Sequence, residues 1–183
     1  MNLNFFKMKR FFKDASGFKI MRVHLGDWGE TSVIGRRVKK TSEQVRVLGV
    51  LDELSAWIEL CAGFCKGGDK NVLKKVRGDL YLISSCVAGG DCTVKNSDVD
   101  FLEKKSLEVD SKFKIKGFVV FTGEGCFFNI ARTVCRRAEV ELLGFSGSSV
   151  SFRYLNRLST LLFSFAVKYS TTRRILLGSV RKR

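Results

Sequence analysis

From Ser42 to Cys65 the chain reads Ser-Glu-Gln-Val-Arg-Val-Leu-Gly-Val-Leu-Asp-Glu-Leu-Ser-Ala-Trp-Ile-Glu-Leu-Cys-Ala-Gly-Phe-Cys. Val47, Leu51, Leu54, Ile58 and Cys61 recur every three or four residues, the period of a helix with one buried face. Thr41 or Ser42 can cap its start, and Gly67-Gly68 is expected to end it. The same period returns in four more stretches. Val72, Val76, Leu80, Ile83 and Val87 define a helix over about 69–87, with Asp69 as its expected N-cap and Gly89-Gly90 as its stop. Val99, Leu102, Ser106, Val109 and Phe113 define one over 97–113, where Ser97 and Asp100 resemble a capping box. A fourth is expected over 126–143, and residues 144–147 read as a turn. A fifth is expected over 149–169, with Leu155, Leu158, Leu162, Phe165 and Tyr169 inward. Five helices on short connections point to an all-α helical bundle.

Outward from this frame, residues 21–40 are polar and Gly-punctuated and read as a loop. Phe118-Val-Val-Phe121 suits either a short strand or an extended loop wall. The expected organisation is a basic extension over 1–20, one bundle domain over 21–172 and a basic, frayed tail over 173–183. The chain has 183 residues, 45% of them apolar, enough for one real core. It has no proline, so long helices are unobstructed.

Lys and Arg number 33 against 18 Asp and Glu, a net charge of +15. Such a charge attracts polyanions: nucleic acid, a membrane surface or a nucleotide polyphosphate. No apolar run reaches the roughly 20 residues of a membrane span. No aromatic-basic platform supports a nucleic-acid binder. Six cysteines occur without a C-x-x-C pair, and His24 is the single histidine, so structural-zinc spacings are missing. Reduced thiols in a cytoplasmic compartment are expected; were 1–20 a targeting arm, the compartment would be an organelle.

Chemistry concentrates in Ala131-Arg-Thr-Val-Cys-Arg-Arg-Ala-Glu139. At about 100° per residue, Arg132, Arg136 and Glu139 share one arc, with Ile130, Val134 and Ala138 opposite. A solvated charged face is one reading. The other is an anion site, because guanidinium forks suit phosphate and a carboxylate beside them can orient one or hold a divalent cation. In the fifth helix Ser149, Arg153, Asn156 and Thr160 form a polar stripe, and Asn156 needs a partner there. Asp52-Glu53 interrupts the first helix, and an acid so placed pairs with a base when buried.

Three blocks, Val50-Leu-Asp-Glu-Leu54, the segment ending at Glu139, and Arg153-Tyr-Leu-Asn-Arg-Leu-Ser159, resemble the PduO-type ATP:cob(I)alamin adenosyltransferases, in that family's order, over residues 21–170. The resemblance implies a homotrimer of five-helix bundles with sites between subunits. It implies ATP and cob(I)alamin as substrates, Mg²⁺ as cofactor, and transfer of the 5′-deoxyadenosyl group to cobalt. It further implies that Asp52 pairs with Arg132 across the interface and that Arg136 meets the phosphates. Glu139 and Asn156 would fix ATP and its metal. Phe118, after Gly117, would shield the lower face of cobalt. The family's loop of the form Thr-x-Thr-Gly-Asp-Lys-Gly-x-Thr aligns with Val23-His-Leu-Gly-Asp-Trp-Gly-Glu-Thr31. Gly26, Asp27, Gly29 and Thr31 are kept, whereas both leading threonines and the lysine are replaced, by Val23, Leu25 and Trp28. Arg36, Arg37, Lys39 or Lys40 can restore the missing charge. The family's Pro-Gly-Gly-Ser is here Phe121-Thr-Gly-Glu124, and the stretch to Arg132 is two residues shorter. The alternative function is a homologue that binds cobalamin or nucleotide without turnover.

Overall fold

The computed structural model describes residues 26–90, 94–113, 118–145, 149–171 and 174–176. The chain divides into two compact units, Met1–Thr41 and Ser42–Arg183. Residues 1–20, Val23, Leu25 and Cys92 lie outside the described residues, as do the side chains of Phe118 and 174–176.

Among the described residues the second unit holds five helices: α1 (Glu43–Phe64), α2 (Gly67–Ala88), α3 (Asn96–Asp110), α4 (Gly125–Phe145) and α5 (Ser149–Lys168). The expected α1 stripe, Val47 to Cys61, is fully buried. Burying each such aliphatic side chain contributes about 1.5–3 kcal/mol. The Ser42 hydroxyl caps α1 by accepting the Val45 N–H. Packing runs α2 to α1, α1 to α4, α4 to α5 and α5 to α3. α5 is the central helix: Tyr154, Leu155, Leu158, Leu161, Leu162, Phe165, Ala166 and Val167 are all buried. Its Phe165 packs edge-on against Phe128 of α4, and Tyr169 stacks on the same Phe128 with ring centres 4.8 Å apart.

Polar bonds fasten α5 to its neighbours. The buried Tyr154 hydroxyl donates to Asp79 of α2 at 2.8 Å. Lys75 bridges Asp79 and Asp98 at 2.7 Å each, joining α2 to α3. Lys168 and Tyr169 both donate to Asp69. Ser164 donates to Asp110 of α3 at 2.6 Å.

The described residues also form two short ladders. In the first unit β1 (Glu30–Val33) pairs antiparallel with β2 (Arg36–Lys39). In the second, β3 (Phe118–Val120) pairs antiparallel with β4 (Arg174–Leu176). β3 thus settles the choice between strand and loop wall at residues 118–120, and the tail expected to fray supplies its partner. The hairpin corrects the loop reading of residues 30–39. Its turn, Ile34 at φ +41° and Gly35 at φ +75°, is a left-handed two-residue turn, but Ile is a poor signal for one.

Several helix ends also differ from expectation. Gly67 and Gly68 open α2 instead of closing α1, which ends at Phe64. Asp69 is therefore in the first turn and pairs with α5. The start of α3 is capped by the Asp98 carboxylate on the Lys95 N–H, at 2.9 Å, not by Ser97 with Asp100. α4 runs on to Phe145, into the first two residues of the expected turn; residues 146–148 lie outside the described ones. Ile130 is exposed, because Ala131 and Phe128 take the buried face of α4.

Candidate active site

Of the predicted site residues, Arg132, Arg136 and Glu139 lie on α4 and Asn156 on α5. Glu139 is 9% exposed although its side chain is a carboxyl group. What holds it is the Asn156 amide, whose Nδ2 donates to Glu139 Oε1 at 2.8 Å. Asn156 thereby gains the partner that a mid-helix asparagine needs. Its Oδ1 in turn accepts from the Arg157 guanidinium at 2.5 Å. Arg157 also donates through Nε to Glu103 of α3 at 2.5 Å. Ser159, two positions further on, is satisfied by the Asn156 carbonyl. Arg153, on the same stripe, donates to Asn96 of α3 at 3.2 Å.

Two turns back along α4 from Glu139, Arg132 donates through Nε to Asn129 at 2.9 Å. Burial, and then the like charge of Arg136, push its pKa down from the ordinary guanidinium value. Arg136 is exposed and, among the described residues, has no hydrogen bond or ion pair. Two guanidiniums on one helix face without a carboxylate between them favour an anion arriving from outside. Between them in sequence, Cys135 is buried and donates to the Leu155 carbonyl at 3.2 Å; burial raises its thiol well above the ordinary value. It is a packing residue.

Asp52 lies elsewhere. It is exposed, and with Lys74, Arg77 and Tyr81 it lines a groove of about 630 Å³ between α1 and α2. Within one chain Asp52 and Arg132 thus face different surfaces. The neighbouring Glu53, about 100° further round the helix, takes the ion pair with α4, through Arg137. A second groove of about 510 Å³ lies among α2, α3 and α5, lined by Lys75, Phe101, Lys105 and Lys168. Neither groove includes Arg132, Arg136, Glu139 or Asn156. No cluster of three metal-ligating side chains occurs among the described residues.

In the hairpin unit, strand alternation sorts the candidate ATP residues. Thr31 pairs with Val38 and Arg36 with Val33, whereas Lys39 pairs with Glu30. Thr31 and Arg36 therefore share one face and Lys39 takes the other. The Gly26–Gly29 turn is closed by the Lys40 N–H on the Gly29 carbonyl at 2.8 Å. The Lys40 ammonium packs so close to Gly26 that a Cβ there would stand 3.1 Å from Nζ. Lys40, more than Lys39, is the cation at this turn. Trp28, where the resemblance expects a lysine, is 90% exposed.

Phe118 opens β3, opposite Leu176. Sequence reasoning missed the roles of Arg157, Glu103 and Asn129. Asn129 was within reach, since a residue three before Arg132 shares its face. Glu103 was not, because only tertiary packing brings α3 to α5.

The five-helix bundle thus presents two arginines on one face of α4, beside a Glu139 carboxylate held by Asn156 of α5. The cobalamin adenosyltransferase family model matches residues 21–169, and the chain belongs to that family. It is 30% identical over 159 residues to the corrinoid adenosyltransferase of Bacillus subtilis, covering 77% of this chain and 81% of that protein. The identity to corrinoid adenosyltransferase PduO of Salmonella typhimurium is also 30%, over 47% of that protein's length. In fold it resembles a phenylalanine-to-histidine variant of the PduO-type ATP:corrinoid adenosyltransferase from Lactobacillus reuteri complexed with cobalamin and ATP. There the TM-score is 0.76 at 20% identity, over 86% of this chain and 97% of that one.

Proposed function

We propose that this chain transfers the 5′-deoxyadenosyl group of ATP to the cobalt of cob(I)alamin. The observation that carries the reading is the α4–α5 constellation: a buried Glu139 gripped by Asn156, beside Arg132 and an unpaired Arg136. The membership in the cobalamin adenosyltransferase family supports it. In the reaction the cobalt electron pair attacks C5′. The Co–C5′ bond forms, the C5′–O5′ bond breaks, and its electrons leave on the triphosphate. The nucleophile belongs to the substrate, so the protein's work is to position, desolvate and neutralise charge. Arg136 meets the triphosphate, where negative charge grows as the bond breaks. The hairpin unit, taken by itself, offers Lys40, Arg36 and Lys39, the Thr31 hydroxyl and the backbone of the Gly26–Gly29 turn, a set suited to phosphate, and in Asp27 a carboxylate suited to a phosphate-bound cation.

Mg²⁺ fits this donor set. One carboxylate plus substrate phosphates is its common ligand set in nucleotide sites, and the Asn156 bond to Glu139 engages only Oε1. Glu139 would hold it, and the ion would neutralise phosphate charge. Asp52 and Arg132 face different surfaces of one chain, so their pairing belongs to a trimer in which one subunit's α1 meets another's α4. The exposed Arg136 suits such a shared site. The family resemblance makes Phe118 the candidate residue for the lower face of cobalt. The five described cysteines are unbridged, which suits a reducing, cytoplasmic compartment.

The test is anaerobic mixing of protein, cob(I)alamin and MgATP, followed by absorbance of adenosylcobalamin. Arg136→Ala should weaken ATP binding roughly ten- to a hundredfold, the loss of one charge-assisted contact of about 1.5–3 kcal/mol, and leave cobalamin binding in place. Binding of both substrates without product would leave the non-catalytic homologue as the function; unchanged ATP affinity in a folded Arg136→Ala protein would overturn the phosphate role.

A further inference from the structure

The Asn156 amide is held at both ends, and the two ends are not equivalent. Its Nδ2 faces Glu139 Oε1 at 2.8 Å and its Oδ1 faces the Arg157 guanidinium at 2.5 Å. A primary amide turned by 180° keeps nearly the same shape but exchanges donor for acceptor. Turned, Asn156 would set its oxygen against a carboxylate and its NH₂ against a guanidinium. Arginine carries donors only, so it accepts one orientation of the amide and rejects the other. Consecutive helix residues point about 100° apart and do not ordinarily face each other. Arg157 reaches back to Asn156 while its Nε is bound to Glu103 of α3 at 2.5 Å. The result is a relay, Glu103–Arg157–Asn156–Glu139, running from α3 through α5 to α4.

We infer that Arg157, anchored by Glu103, is a positioning residue for the adenosyl transfer: it fixes the Asn156 amide and, through it, the Glu139 carboxylate. The inference rests on the reading of Glu139 and Asn156 as ATP-site residues. A plain structural role for the Arg157–Glu103 pair predicts something else. Both side chains are more than 40% exposed, and exposed ion pairs contribute little to stability. Removal should therefore be mild in folding and costly in turnover.

The test is a double-substitution cycle in the full chain. Arg157→Met should lower kcat by about tenfold, the scale of a lost orienting partner. Its KM for ATP should rise less, and its melting temperature should stay within about 3 °C of the parent's. Glu103→Ala, which touches neither Asn156 nor Glu139, should reproduce the loss in part. In an Asn156→Ala background, Arg157→Met should cost nothing further, because the group it orients is gone. In ¹⁵N-labelled protein without substrates, the Asn156 side-chain amide should lose its distinct NH₂ shifts in Arg157→Met. Additive losses in the cycle, or an Asn156 amide indifferent to Arg157→Met, would overturn the positioning role. Asn156→Ala with unchanged ATP affinity would instead overturn the ATP reading, and the role of Arg157 with it.

Discussion

Two glycines in α4 should respond to the same substitution with opposite signs. Gly125 is the first residue of α4 and is buried against the end of α5. A Cβ added there would lie 2.3 Å from Ser170 Oγ, 2.4 Å from the Ala166 carbonyl oxygen and 3.0 Å from the Ser170 nitrogen. Ser170 Oγ cannot simply swing away, because it donates to the Ala166 carbonyl at 2.8 Å and accepts the Thr122 N–H. Gly125 itself donates to the Tyr169 carbonyl at 3.2 Å. The Ala166 carbonyl is backbone inside α5, so relief requires two helices to part by roughly 1 Å. Overpacking of this kind costs about 1–3 kcal/mol, and backbone clashes fall at the upper end. The propensity gain of Gly→Ala, about 0.5–1 kcal/mol, offsets only part of it. The net expectation is a loss of about 2 kcal/mol and a melting temperature lower by roughly 4–8 °C. Gly144 is exposed near the other end of α4, and nothing lies within 4 Å of its Cβ position. Gly144→Ala should stabilise by about 0.5–1 kcal/mol. Urea denaturation of both variants measures the difference, read as a change of midpoint at constant slope. A Gly125→Ala protein as stable as the parent would refute the packing of α4 on α5 described above.

Tyr154→Phe removes a buried hydrogen bond to Asp79 and should cost about 1.5–3 kcal/mol at neutral pH. Burial and then the Asp79 charge raise the Tyr154 pKa well above the ordinary phenol value. A raised folded pKa contributes stability that is full below the unfolded value, near 10, and is lost as pH rises beyond it. Urea midpoints between pH 8 and 11 should therefore fall more steeply for the parent than for Tyr154→Phe. Cys61, Cys65 and Cys135 are buried, and burial pushes the Cys61 thiol up to about 12; at pH 8 all three should resist a thiol reagent until denaturant is added, and rapid native labelling would contradict their packing. Ile34→Asn relieves a β-branched residue at φ +41° and should slow hydrogen exchange of the hairpin amides several-fold, whereas unchanged or faster exchange would count against the strained turn.

Much of the bundle could be read directly. The stripes of α1, α2 and α5 emerged as predicted because a 3.6-residue period repeated over five turns leaves one face to bury, whatever it packs against. The hairpin was hidden for the opposite reason. Glu30 to Lys39 is mostly polar, so alternation shows no apolar face, and the left-handed turn residue is an isoleucine. The α2 start was misread because Asp69 is a good N-cap by type, but a carboxylate in the first turn of the helix gains more from Lys168 of α5 and from Tyr169 just after it.

The sequence by itself determined the helices, the arginine-bearing face of α4 and the polar stripe of α5, since each is a local pattern expressed by the backbone's own geometry. Its resemblance to a family also named the residues around which the site is proposed. Only the tertiary structure decided which partners those residues meet. Asn156 turns to Glu139, Arg157 reaches Glu103, and Glu53 rather than Asp52 meets α4. Such pairings depend on how helices distant in sequence are rotated against one another. That rotation is set by the summed packing of the core, Tyr154, Phe128 and Phe165 among its largest members, and no short stretch of sequence encodes it.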